Sequence, residues 1–556
     1  MVKLKSWEGR LVVCMGLFCA ATLICLCIYF VEQGCSGGAF KHAAVSADSR
    51  ICSDIGRDML HQGGSAVDGA IAALLCTSVI NPQSMGLGGG AIFTIRDKSG
   101  KVKVYNSRET VPKSFKAKLL NDCPTEFAFI TGSQWIGVPG ELRGYQHVHQ
   151  LYGQLPWARL FEPTIKLARG GTPVPAYLTH LLSIPLIGSL IRNSALCQLF
   201  CKQNKTILGK GDILKFPKLA ETMETIAKQG ADALYTGQIG LDLVQDVREA
   251  GGTLTMEDLR SFRVQVADAW PISLGKTRMH IPPPPSGGAV LAFILNVMKG
   301  FNLTSNSMKG DQRIQTYHRF VEAAKFANGQ KHVIRDPAIN CAKNASYLLD
   351  GAYADEIRGR ISADRTHNNE YYNAQPLVER FGTTHVSVLA EDGSAVSVTS
   401  TINQMFGSAI FSPRTGIILN NELADFCGRA DSVTAGEQPP SSMAPAILES
   451  SGETLVIGGS GGSMITTAVA LSVMNHLWLG MSLQEAIAAP VVFVDSKNKL
   501  KFEPGFDKTV IAGLKALGHH VEDWKYFFNV VNAVAEQHGC ITAVSDRRKK
   551  GQASGY

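Results

Sequence analysis

The chain has little net charge for its size, +7 over 556 residues, and its basic residues are scattered. A broad polycationic surface for nucleic acid is thereby excluded. The one cluster, Arg547-Arg548-Lys549-Lys550, reads as a solvated surface turn. Composition does not lean toward disorder either, with 45% hydrophobic and 18% charged residues. Metal-ligand spacing is missing: His147 and His149 alternate without a nearby Cys or carboxylate cluster, and His519-His520 lies in a loop-like segment that needs no chemistry. A dinucleotide fingerprint is missing too. The glycines of Met85 to Gly90 feed an apolar strand, whereas that fingerprint has them follow a strand and open a helix. Long apolar runs are all but absent, with a single exception.

That exception, Leu11 to Val31, carries no charged side chain and is long enough to cross a bilayer as a helix. Lys3, Lys5 and Arg10 precede it, so the pattern predicts an uncleaved transmembrane signal-anchor over 11–31 with a cytoplasmic tail over 1–10. The bulk of the chain would then lie outside the cell, a single-pass type II arrangement. Cleavage near Cys35-Ser36-Gly37-Gly38, releasing a soluble form, is the alternative. Of thirteen cysteines, Cys14, Cys19, Cys25 and Cys27 fall in the apolar run, where pairing is not expected. The rest would meet an oxidising compartment in which disulfides persist. Cys197 and Cys201 are close enough to close a small loop, while Cys52 and Cys76 flank a helical pattern; spacing leaves the pairing open. Sequons at Asn204, Asn302 and Asn344 fit a glycosylated ectodomain.

Residues 32–42 read as a short Gly/Ser stalk. Ser65 to Ile80 looks like a buried helix that Ser65 can cap. From Leu155 to Asp350 the pattern is mostly helical, interrupted by a rigid turn at Pro282 to Gly288. From Ala363 to Gly382 the chain turns polar and irregular, with too few apolar groups to offset the entropy of ordering it. A strong β pattern follows at once: His385 to Leu389 and Ala395 to Thr399 alternate around a hairpin turn at Glu391-Asp392-Gly393.

Gly382-Thr383-Thr384-His385 sits at that abrupt junction. A threonine hydroxyl is a poor nucleophile without an adjacent base. If the chain breaks before Thr383, the new α-amine can be that base, since an α-amino pKa of roughly 7.7–8.0 leaves part of it neutral at physiological pH. Gly382 tolerates the distorted backbone that attack on the preceding carbonyl requires.

The motifs around this junction resemble those of the γ-glutamyltransferases, closest to the branch that processes leukotriene C4. They are Thr383 to Val388, Glu391 to Val396, Thr399 to Asn403, Phe406-Gly407, Gly416 to Glu422, Ser441 to Met443, Gly458 to Gly462 and the ending Ser545-Asp546 to Tyr556. Upstream, Gly63 to Asp68, Met85 to Gly90, Arg108-Glu109, Gly137 to Glu141, Leu234 to Gly237 and Gly251 to Leu259 match in the same order. Phe411 to Leu423 and Leu477 to Pro490 carry the likeness to the leukotriene branch, whereas the segment from Asp425 to Ser441 is shorter than in many relatives.

The resemblance implies an N-terminal-nucleophile hydrolase, an α/β fold with an αββα sandwich, made as one chain and self-cleaved. A large subunit over 43–382 and a small catalytic subunit over 383–556 would stay together as a heterodimer. It further implies Thr383 as nucleophile, Thr401 orienting its hydroxyl and amine, and Gly461 and Gly462 as the oxyanion hole. Arg108 with Ser441 and Ser442 would hold the carboxylate of a γ-glutamyl donor, and Asn403, Glu422 and Asp425 its ammonium. The implied substrates are glutathione, glutathione S-conjugates and leukotriene C4, with water, amino acids or dipeptides as acceptors and no metal or organic cofactor. His385 would support geometry rather than carry protons. A catalytically silent binding protein, or an acylase or amidase of the same nucleophile class, is the competing reading. Both are disfavoured by the charged amino-acid pocket together with the Thr383, Thr401 and Gly461-Gly462 set.

Overall fold

The structure, a computed structural model, describes Met15, Cys35 and residues 38–124, 129–339, 344–374, 382–524 and 529–556. Thirteen strands build two sheets. In chain order they are β1 (Ala44–Ser46), β2 (Gly90–Arg96), β3 (Val102–Asn106), β4 (Gln265–Asp268), β5 (Trp270–Leu274), β6 (Thr277–Ile281) and β7 (Thr384–Leu389). The remainder are β8 (Ala395–Thr401), β9 (Ala446–Ser450), β10 (Glu453–Ser460), β11 (Val530–Gln537), β12 (Cys540–Val544) and β13 (Ser554–Gly555). A seven-stranded sheet runs β13-β1-β7-β8-β2-β3-β4, and a six-stranded one runs β12-β11-β10-β9-β6-β5. The sheets pack face to face through β7, β8, β10 and β11.

Helices cover both outer faces, which makes the αββα sandwich. On the first sheet lie α1 (Arg50–His61), packed against α2 (Ala66–Ile80), and α2 itself, seated on β7 and β8. Over the second lie α3 (Gly288–Lys299), with α4 (Gly310–Gln330) packed against it, and α5 (Ile465–Leu477). All fifteen residues of α2 are buried, as its nearly continuous apolar sequence predicts. Each of its Leu, Ile and Val side chains contributes about 1.5–3 kcal/mol by leaving water. Ser65 caps the helix and Asp68 returns the bond in a capping box.

The hairpin of β7 and β8 forms as the alternation predicts, with Leu389 opposite Ala395 and Gly393 at φ 79° in the turn. Both of its faces are buried, however. The valines fill one side, and the small hydroxyl residues between them face the second sheet, where Ser397 donates to the Ile457 carbonyl and Ser387 to that of Asn532.

Several expectations are corrected. The expected transmembrane helix over 11–31 is the first: among the described residues no helix is long and apolar enough to cross a membrane. The longest described one, α4, carries Asp311, Arg313, Arg319, Glu322 and Lys325. Of 11–31 itself only Met15 lies within the described residues. The signal-anchor, the membrane as a partner and the type II extracellular placement are therefore not supported by any described element of this fold. The middle of the chain is mostly helical, as its pattern predicts, but β4, β5 and β6 also lie within it and were not foreseen. Gln265–Asp268 and Trp270–Leu274 are edge strands and Thr277–Ile281 lies next to an edge; each is only four or five residues long and partly exposed, which leaves little sequence in which to read a strand. The polar stretch before Thr383 is partly ordered: Tyr372 is buried and donates to Glu322. Residues 375–381 lie outside the described residues.

Four disulfides are present among the described residues: Cys35–Cys540, Cys52–Cys76, Cys123–Cys427 and Cys197–Cys201. The two local pairs join the candidates named from spacing. The two long-range pairs, separated by 505 and 304 residues, had no sequence signal. Cys35 and Phe40, within the expected stalk, are held to the edge of the second sheet, the latter by paired backbone bonds to Ile541. Asn204, Asn302 and Asn344 are all exposed.

Candidate active site

Strand ends from both sheets converge on one point. Antiparallel pairing sets Ser400 opposite Thr384, so Thr401, at the end of β8, comes beside Thr383, just before β7. Their hydroxyls lie 3.1 Å apart, and Thr401 Oγ1 also accepts from the Asn403 N–H at 2.8 Å. From the second sheet, β10 ends at Ser460 and turns through Gly461 (φ 116°) and Gly462 (φ 58°), conformations that disfavour a side chain. The Gly461 N–H donates to the Gly382 carbonyl at 2.9 Å.

The backbone at the junction is constrained. Thr383 sits at φ 82°, an uncommon conformation for a β-branched residue and a place where strain is stored. A Cβ on Gly382 would fall 1.8 Å from the Asn403 carbonyl oxygen, so only glycine fits before the threonine.

A cavity of about 290 Å³ opens on this point, lined by Thr383, Thr401, Asn403, Gly462, Arg108, Glu422, Asp425, Ser441 and Ser442. Gly461 lies beside it, at the Gly382 carbonyl. Every site residue expected from the sequence is thus brought to one place. The charges are arranged less simply than a cationic wall facing an anionic one. Arg108 is fully buried, with Nη1 2.7 Å from Glu422 Oε1 and Nη2 donating to Asp425 Oδ2 at 2.5 Å. Its Nε and Nη2 also donate to the carbonyls of Pro439 and Pro440. Burial favours loss of the Arg108 proton, but Glu422 and Asp425 outweigh it and hold the guanidinium charged. Ser441 is set by its N–H on the Pro285 carbonyl, directly after the proline turn.

Deeper groups modify the field. Glu109 is buried beside this ion pair, and burial followed by repulsion from Glu422 raises its carboxyl well above the ordinary range. Glu141, buried and accepting from Tyr145 and Ser400, is pushed up to about 8 by burial. His385 is pushed down to about 3 by burial alone, with its ring nitrogens 2.8 Å from Thr399 Oγ1 and 2.9 Å from Ser387 Oγ. It is thus neutral and unsuited to act as the base near neutral pH. Gly458 makes room for the ring, since a Cβ there would meet His385 at 2.3 Å.

Two features escaped the sequence reading. Lys549, expected in a solvated turn, is buried and reaches the Thr383 carbonyl. Its signal was the acidic neighbour Asp546, whose side chain accepts from the Arg548 N–H and turns the run inward. His519 is buried as well, and with His318 and Glu322 forms a group of metal-binding types among the described residues. Lys325 Nζ lies 2.9 Å from His519 Nδ1 and 3.5 Å from Glu322 Oε1, and His519 Nε2 faces His318 Nδ1 at 2.8 Å. The lysine ammonium already supplies the cation there, so the donor set does not fit a metal ion.

A profile of the family described as gamma-glutamyltranspeptidase matches residues 52–556. The chain is 48% identical over 572 aligned positions to glutathione hydrolase 5 proenzyme of Rattus norvegicus, covering 99% of this chain and 100% of that one. It is 47% identical to the protein of the same name from Homo sapiens, with 94% of each chain covered. Among solved structures, cephalosporin acylase from Bacillus halodurans superposes with a TM-score of 0.83 over 93% of this chain and 96% of that chain; at 23% identity this likeness speaks to the fold alone.

Proposed function

The chain belongs to the gamma-glutamyltranspeptidase family of enzymes, and on that premise we propose that it cuts itself before Thr383 and then uses Thr383 to take γ-glutamyl groups from glutathione and its S-conjugates. The observation that carries this reading is the junction itself. Thr383 is held at φ 82°, its hydroxyl lies beside Thr401, and the carbonyl it would attack is already polarised by the Gly461 N–H.

In the first step Thr383 Oγ1 adds to the Gly382 carbonyl carbon and the oxygen becomes an oxyanion held by Gly461. The C–N bond breaks, the nitrogen takes the hydroxyl proton as the α-amine of Thr383, and an ester remains. Water hydrolyses the ester, which leaves Gly382 as a carboxylate and divides the protein into one fragment that ends at Gly382 and one that begins at Thr383. In the mature enzyme the α-amine takes the Thr383 hydroxyl proton as Oγ1 attacks the γ-glutamyl amide. The N–H groups of Gly461 and Gly462 hold this second oxyanion, a contribution whose loss typically costs roughly 10²–10³ in rate. The cysteinylglycine amine leaves with the proton, and water or the amine of an amino acid or dipeptide resolves the acyl-enzyme.

The donor's α-carboxylate lies against Arg108, Ser441 and Ser442, and its ammonium against Asn403, Glu422 and Asp425. Because Arg108 already touches both acids, the zwitterion enters by sharing and partly replacing that ion pair. His332 and Arg335 also line this cavity. Comparing kcat/KM for leukotriene C4 and glutathione tests the substrate class; a clear preference for plain glutathione sinks the leukotriene assignment. The nucleophile is tested by Thr383→Ala, expected to remain full-length and inactive. N-terminal sequencing of the smaller fragment of the active enzyme should begin at Thr383, and an active chain that never divides would refute the reading.

A further inference from the structure

Lys549 stands directly beneath the nucleophile. It lies in the turn after β12, is 4% exposed, and spends all three ammonium donors on buried acceptors. Nζ donates to the Thr383 carbonyl at 2.6 Å, to Asp48 Oδ2 at 2.7 Å and to Ser460 Oγ at 3.0 Å. These acceptors come from three separate parts of the molecule. Thr383 is the nucleophile, Ser460 is the last residue before the Gly461-Gly462 turn, and Asp48 follows β1 at the start of the described fold. Asp48 in turn accepts from Thr384 Oγ1 at 2.6 Å and Asn532 Nδ2 at 2.9 Å. Arg548, paired with Glu503 and Asp546, holds the turn that aims Lys549 inward.

A buried charge is costly to desolvate and is tolerated only when fully paired. An apolar side chain would fill the same space without that cost, but it would not tie the nucleophile to the oxyanion turn. Resting on the reading of Thr383 as an N-terminal nucleophile, we propose that Lys549 is a positioning residue for it. The single ammonium fixes the Thr383 main chain relative to Gly461 and Gly462. Its charge, one carbonyl away, disfavours a second positive charge on the freed Thr383 α-amine and so keeps the base neutral. The other charged or titratable groups around Thr383 are Asp48 beneath it, paired with Lys549, neutral His385 two residues on, and, lining the same cavity, Arg108, Glu422, Asp425, Lys331, His332, Arg335, Arg429 and Glu437.

The test uses the full chain and a chromogenic γ-glutamyl anilide, with Lys549→Met, Lys549→Arg and Thr383→Ala compared over pH. K549M is expected to lower kcat at least about tenfold with little change in KM, because misplacement of a reacting group is felt in the chemical step. The acid limb of its kcat/KM profile should move up by about half a pH unit or more, since removing a cation favours the protonated amine. K549R, keeping charge but not geometry, should lower kcat with the acid limb at the wild-type position. A K549M chain that folds by circular dichroism yet remains undivided also supports the proposal, because Thr383 is then misplaced for its first reaction. If K549M does not fold, K549R decides: wild-type kcat there overturns the positioning role. Wild-type kcat and acid limb in K549M overturn it outright. An active T383A would instead remove the nucleophile reading itself, whereas an inactive T383A beside an unaltered K549M removes only the role of Lys549.

Discussion

The Gly461 N–H points at the carbonyl oxygen of Gly382 across 2.9 Å, so the donor proposed for the oxyanion of every later turnover is already engaged on the bond proposed to break first. One hydrogen-bond donor then serves both reactions, and the same displacement of the turn would slow both.

Gly382→Ala tests that coupling from the other side of the bond. Its added Cβ would lie 1.8 Å from the Asn403 carbonyl, forcing the scissile carbonyl off Gly461. Self-division should slow by about 100-fold or more, in line with loss of an oxyanion donor. The full-length fraction on a reducing denaturing gel over time measures it, and division at the wild-type rate would show that the close approach does not matter.

Arg108→Lys separates charge from geometry. The guanidinium reaches Glu422, Asp425 and two proline carbonyls at once, which a lysine's compact ammonium cannot reproduce. KM for glutathione should rise about tenfold or more, as for loss of a charge-assisted pair, with kcat changed far less. Steady-state kinetics decide, and an unchanged KM would place the donor carboxylate elsewhere.

The long-range disulfides Cys35–Cys540 and Cys123–Cys427 each span the Thr383 junction. After division the two fragments should migrate as one band without reductant and as two with it. Two bands without reductant would mean that neither bridge forms. Replacing Cys35 and Cys123 together with serine should give two bands under both conditions.

Glu141 makes a pH prediction. Its carboxyl, raised by burial to about 8 from the ordinary 4.5, binds its proton more tightly when folded than when unfolded. Stability from this group is complete below about 4.5 and is lost as pH rises through about 8. Tm of the wild type should therefore fall more between pH 5 and pH 9 than Tm of Glu141→Gln; parallel falls would count against a buried neutral acid at this position.

The sequence disclosed those parts of the site whose neighbours in the chain are also neighbours in space. The β7-β8 hairpin brings Thr383 to Thr401 by register alone, and the Ser460-Gly461-Gly462 turn reads as a turn wherever it is placed. Arg108 and its acids could be assigned to one pocket by resemblance, but their mutual ion pair could not, since it depends on a side chain drawn to zero exposure between two distant segments. Lys549 was hidden for a different reason: a run of four basic residues ordinarily faces water, and only the burial of Asp48, from the other end of the chain, makes one of them an interior cation. The strands Gln265–Asp268, Trp270–Leu274 and Thr277–Ile281 were missed because each is only four or five residues long: the alternation of Ile272 with Leu274 and of Met279 with Ile281 covers too few positions to stand out in a largely helical stretch.

If the chain divides before Thr383 as proposed, the two bridges across the junction also fix the molecularity of the product. A pair of fragments held by packing alone would separate on dilution, and its midpoint of unfolding would depend on concentration. Here each fragment meets the other at the high effective concentration of a tethered partner. Unfolding of the divided enzyme is then a first-order event, and its reassembly remains a search within a single covalent body.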